Sequence, residues 1–69
     1  MLKLNNLKRI REAAGLSQAQ LATAAGVPKR TIESYEQGER DIRKGQAAVV
    51  TAIAEALKVD ITELWKGEE

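Results

Sequence analysis

The sequence has no cysteine, no histidine and no phenylalanine, and only one proline, one tyrosine and one tryptophan. Without cysteine, no disulfide and no thiolate metal site can staple the fold. Without histidine, imidazole ligands and the commonest general base are missing too. The lack of cysteine fits a reducing compartment. With Tyr35 and Trp65 as the only aromatics, the core has to be built from Leu, Ile, Val and Ala. No apolar run approaches the roughly 20 residues of a membrane span. The first residues, Met1-Leu2-Lys3-Leu4-Asn5-Asn6, are too polar for a secretory signal. There is no glycine-rich phosphate loop, and the carboxylates are scattered over separate segments. The expectation is a cytoplasmic protein that is not an enzyme, with no metal, no cofactor and no small-molecule ligand.

What is present points elsewhere. Sixty-nine residues make one domain, and a core of that size supplies only about 3–5 kcal/mol. The net charge of +1 is uninformative, but its distribution is not. Residues 1–46 carry nine basic and five acidic side chains, a balance of +4. Residues 47–69 carry two basic and five acidic, a balance of −3. A chain polarised in this way presents one end to a polyanion.

Apolar residues recur at helical spacing along the whole chain, and no segment alternates as a strand would. Leu4, Leu7, Ile10 and Ala14, followed by Gly15, predict a first helix at 5–14. Ser17-Gln18-Ala19-Gln20 is a capping box, in which the Ser17 hydroxyl and the Gln20 side chain each satisfy a backbone N–H. It opens a second helix at 18–25, closed by Gly26. Pro28 suits a helical first turn, and Ile32 and Tyr35 give the buried side of a third helix at 28–37, with Gly38 beyond. Its other face carries Lys29, Arg30, Glu33, Ser34 and Gln37. Residues 39–45 form a charged connector anchored by Ile42. A fourth helix at 46–57 buries Val50, Ile53, Ala54 and Leu57. Ala47, Ala48, Val49, Ala52 and Ala56 make it apolar almost all round, which points to a subunit interface. Asp60-Ile61-Thr62-Glu63 starts a short fifth helix at 61–66 that brings Leu64 and Trp65 to the core. The domain spans 4–66, and residues 67–69 form a tail expected to fray.

Two short helices joined at Gly26, together spanning 18–37, make a helix-turn-helix unit. Gly26 permits the sharp turn, and Ala22 is small where the third helix crosses. With Leu21, Val27, Ile32 and Tyr35 turned inward, Lys29 and Arg30 project from the leading end of the third helix. Arg or Lys in that position can bond guanine O6 and N7 in the major groove.

The run Leu7-Lys8-Arg9-Ile10-Arg11, with Gly15-Leu16-Ser17-Gln18-Ala19-Gln20-Leu21-Ala22, resembles the Cro/lambda-repressor family, also called the XRE family. So do Gly26-Val27-Pro28, Ile32-Glu33-Ser34-Tyr35-Glu36-Gln37-Gly38, and Ile53-Ala54-Glu55-Ala56-Leu57-Lys58-Val59 with Leu64. The resemblance covers residues 4–66 and implies an all-α, five-helix lambda-repressor-like fold. It further implies a homodimer on double-stranded DNA, with the third helix as reader. Carried over, Gln18 would bond a phosphate, Lys29, Arg30 and Ser34 would read base edges, and Thr31 would flank them. Arg40, Arg43 and Lys44 in the connector would meet backbone phosphates. Arg11 and Glu36 stand where the family tends to pair a structural salt bridge. Three positions depart from the pattern: Lys58 replaces a usual Gly, Pro28 replaces a capping Ser or Thr, and the loop Gly38–Gly45 lacks the usual Pro-Ser element.

The function these features imply is sequence-specific DNA binding by a transcriptional regulator, with repression as the expected outcome. The alternatives are an antitoxin, a restriction-modification controller, and a protein-interaction domain that has lost DNA binding. The basic pair Lys29 and Arg30 argues against the last.

Overall fold

Leu7, Leu21, Ile32, Val50, Ile53 and Leu64 come from five separate apolar stripes and meet at one centre, each at most 2% exposed. The computed structural model describes residues 6–65, apart from the side chains of Arg43 and Trp65. Among the described residues the chain forms α1 (Leu7–Ala13), α2 (Gln18–Ala25), α3 (Lys29–Gln37), α4 (Ala47–Leu57) and α5 (Ile61–Trp65), and no strand. A 3₁₀ turn, Ile42–Lys44, lies between α3 and α4. The all-α, five-helix expectation holds. Leu4, Asn5 and the tail at 67–69 lie outside the described residues.

Local chemistry accounts for most of the helix ends. The Ser17 Oγ accepts from Gln20 N–H at 3.0 Å, and Gln20 Oε1 accepts from Ser17 N–H at 2.8 Å, the reciprocal pair expected of a capping box. Gly26 ends α2 in the left-handed region at φ 74°. Pro28 is the N-cap of α3 rather than its first helical residue: its ψ of 145° is extended, and the helix begins at Lys29. At α5, Asp60 Oδ1 accepts the Thr62 N–H at 3.1 Å.

α2 has only eight residues and is far too short to persist alone in water. It packs against both α3 and α4, burying Leu21 and Ala22. The start of α1 is tied to α5 at Asn6. Its backbone N–H donates to Leu64 O, and its side-chain amide donates to Glu63 O, each at 3.2 Å.

Ile42 anchors the connector as the sequence suggests: it is 1% exposed, and it draws a 3₁₀ turn, which no local pattern marks, onto the core. Gly45 follows it beneath Tyr35. A Cβ built at Gly45 would overlap the Tyr35 hydroxyl, so this position admits no side chain without displacing a buried ring. α4 buries Val50, Ile53, Ala54 and Leu57. Its far side leaves Ala48, Thr51 and Glu55 exposed, with Val49, Ala52 and Ala56 half-buried. The helix ends at Lys58, whose φ of 60° and ψ of 41° are left-handed. It is the one non-glycine described residue with positive φ.

Candidate nucleic-acid interface

α2, its Gly26 turn and α3 form a rigid corner because both faces inside it are filled. Leu21, Ala22, Ile32 and Tyr35 are each at most 5% exposed. Packing on that side leaves α3 with a solvent-facing side. Lys29, Arg30 and Gln37 are exposed there and Glu33 is half-exposed. Lys29 Nζ lies 3.5 Å from Glu33 across one helical turn, a contact worth about 0.3–0.5 kcal/mol in water. The charge of Lys29 is therefore held loosely, and Arg30 beside it extends from the same end of the helix. Gln37, on the same side and near the opposite end, was not singled out from the sequence as a contact residue.

Ser34 departs from the expectation that it shares this outer face. It is 8% exposed, its hydroxyl donates to Glu39 Oε1 at 3.5 Å, and its carbonyl accepts from the N–H groups of Glu39 and Arg40. The chain folding back after Gly38 covers it. Sequence spacing alone could not show that cover.

Thr31 is half-buried on the flank of α3 that meets the connector. With Arg40, Asp41, Lys44 and Gln46 it lines a cleft of about 520 Å³ between α3 and the start of α4. Arg40 and Lys44 are both exposed. The side chain of Arg43 lies outside the described residues. Gln46, the N-cap of α4, also borders this cleft and makes no side-chain cap bond. No sequence motif marked it.

Arg11 and Glu36 meet beneath the corner. Arg11 Nε donates to Glu36 Oε2 at 2.6 Å and its NH2 donates to Glu36 Oε1 at 3.2 Å, a forked pairing. Arg11 NH1 also donates to the Leu16 carbonyl at 2.7 Å. The guanidinium side chain is 9% exposed and the carboxylate side chain 4%. The hydrogen bonds that Arg11 donates to Glu36 hold its pKa above the ordinary range, against the opposing effect of burial. Gln18, at the start of α2, donates its side-chain Nε2 to Glu36 Oε1 at 3.0 Å. One carboxylate on α3 thus ties α1 and α2 to itself. Positions 18 and 36 are far apart in sequence, and no local pattern announces that second bond.

The geometry offers a convex helix end bearing cations, flanked by a cation-lined cleft and a helix N-terminus. Such a surface suits an anionic, grooved partner. Comparison with known proteins agrees. Residues 5–65 match the family described as helix-turn-helix domain. The restriction-modification controller protein C.AhdI from Aeromonas hydrophila, known from a high-resolution crystal structure, is 29% identical to this chain. The two superpose with a TM-score of 0.75 over 84% of this chain and 83% of that one. No curated protein sequence matches.

Proposed function

Because the chain belongs to the helix-turn-helix domain family of DNA-binding regulators, we propose that it is a sequence-specific transcriptional regulator that reads double-stranded DNA with α3 in the major groove. The observation that carries this reading is the exposed pair Lys29 and Arg30 at the leading end of a helix whose other side is buried. Lys29 and Arg30 read bases. Thr31 flanks them, and Ser34 contributes only where binding opens its cover. Gln18 bonds a phosphate at the N-terminus of α2, where the helix dipole and free N–H groups already favour an anion. Arg40, Arg43 and Lys44 meet the adjoining backbone.

Two copies bind a paired site through the far side of α4. Its exposed Ala47 and Ala48 with half-buried Ala52 support an isologous contact. Occupation of a promoter by such a dimer represses transcription. No helix among the described residues is long and apolar enough to cross a membrane, which supports a cytoplasmic site of action.

A second reading is favoured by one observation. The likeness to C.AhdI extends over most of both chains, and this supports a role as controller of a restriction-modification system.

The test is binding of wild type and Arg30→Ala to a duplex selected from a random pool and to its scrambled counterpart. Arg30→Ala should cost about 1–3 kcal/mol on the selected duplex and relax discrimination at one base position. An equal loss on both duplexes would show that Arg30 holds phosphate and reads no base.

A further inference from the structure

Gln18 Nε2 donates to Glu36 Oε1 at 3.0 Å, and that same oxygen accepts from Arg11 NH2 at 3.2 Å. A side-chain amide has one donor end and one acceptor end of nearly equal shape. A carboxylate offers acceptors only, so the amide can approach Glu36 in one orientation, nitrogen first. Gln18 is half-exposed, and its amide nitrogen has a second N–H. The same first turn leaves the backbone N–H groups of Gln18 and Ala19 outside the helix's own bonding, since the Ser17 hydroxyl takes that of Gln20.

We propose that Glu36, closed by Arg11, is a positioning residue for DNA binding: it fixes the side-chain amide of Gln18 so that the remaining N–H is presented to a phosphate. The inference rests on the DNA-binding reading above and deepens it. An untethered Gln18 turns either end of its amide outward, and the oxygen end repels a phosphate. A lone carboxylate so close to a bound phosphate would repel it as well. The forked pairing with Arg11 neutralises Glu36 and keeps its oxygens as acceptors for Gln18. Three helices thereby share one polar junction, and the side of α2 facing the DNA is set by a bond to the reading helix.

The experiment compares Gln18→Ala in two backgrounds, wild type and Arg11→Met/Glu36→Leu. The paired apolar replacement keeps the net charge, so long-range attraction to DNA is unaltered. Affinity is measured by fluorescence anisotropy on the duplex selected by the wild-type protein, with thermal melts establishing that each variant is folded. In the wild-type background Gln18→Ala weakens binding about tenfold, the worth of a hydrogen bond to a charged group, and in the apolar background less than about twofold. An equal loss in both backgrounds, or no loss in the wild type, overturns the inference and leaves DNA binding standing. Failure of the wild-type protein to select any duplex removes the DNA-binding reading, and this inference with it.

If the apolar background does not fold, the wild-type protein provides the test by NMR of the Gln18 side-chain amide. One of its two protons exchanges slowly in the free protein, and the other shifts when the duplex is added. Equal exchange of the two protons, or no shift of either, overturns the proposal.

Discussion

Arg11 and Lys58 carry the two clearest single-residue consequences of the fold. Arg11 lies almost wholly out of water, its charge met closely by the buried Glu36 and at 3.9 Å by the exposed Glu12, with a further donor on Leu16. Arg11→Ala strands a buried carboxylate, which costs about 3–5 kcal/mol. A core of this size supplies about the same amount, so the variant should be substantially unfolded at room temperature by circular dichroism, and it should stay less stable than the wild type whether or not DNA is present. Joint replacement of Arg11 and Glu36 by apolar residues should recover most of the melting transition, because the penalty comes from the orphaned charge. Lys58 poses the opposite case. Its left-handed backbone places Cβ against the following carbonyl at about 1–2 kcal/mol. Glycine avoids that clash but adds about 0.5–1 kcal/mol of unfolded-chain entropy. Lys58→Gly should therefore stabilise modestly. A gain near 1 kcal/mol raises the melting temperature of so small a domain by about 4–8 °C. DNA affinity should be unchanged, and a lower melting temperature would show that the Lys58 side chain supports the turn in some other way.

Among the elements, α2 depends most on its start. Eight residues form few internal hydrogen bonds, so the reciprocal Ser17–Gln20 cap is a large share of what fixes its first turn. Ser17→Ala should cost about 1 kcal/mol of global stability, read from urea or thermal melts, with Gln20→Ala costing less because it removes only the return bond. The loss should be global because α2 packs against both α3 and α4 and cannot unravel without opening the core. α3 is built differently. Its N-cap, Pro28, makes no side-chain cap bond, and the helix is held by Ile32, Tyr35 and the Glu36 junction. Its exposed leading end is thereby left uncluttered for contact with a partner.

At the scale of the whole molecule, the charge asymmetry and the half-apolar side of α4 predict how the protein behaves on DNA. Each neutralised phosphate contributes about 0.9 to the slope of log affinity against log salt. If the connector cations Arg40, Arg43 and Lys44 of two subunits each meet a phosphate, the slope should be steep, and a titration from low to physiological salt should weaken binding by orders of magnitude. Light scattering of the complex should give two chains per selected duplex, with the reading helices about 34 Å apart. One chain per duplex would remove the α4 contact from the account.

Much of this protein could be read from its residues alone because helix boundaries are local events. Ser17 with Gln20 opens α2, Gly26 and Gly38 close α2 and α3, and Asp60 opens α5, each through bonds to residues within a few positions. The aliphatic periodicity and the absence of histidine and cysteine set the fold class and the kind of core in the same local way. The helix-turn-helix corner followed, since two short helices with one apolar stripe each have little choice but to pack together. The pairing of Arg11 with Glu36 was anticipated only through family resemblance, since 25 positions separate the two. Tertiary structure alone decided the rest. It buried Ser34 beneath the returning chain, drew the connector into a 3₁₀ turn on Ile42, pressed Tyr35 against Gly45 and brought Gln18 to Glu36. The reason is geometric: those contacts depend on where helices cross and how the connector lies over them, and a displacement of a few ångströms, invisible in any local pattern, makes or breaks a hydrogen bond.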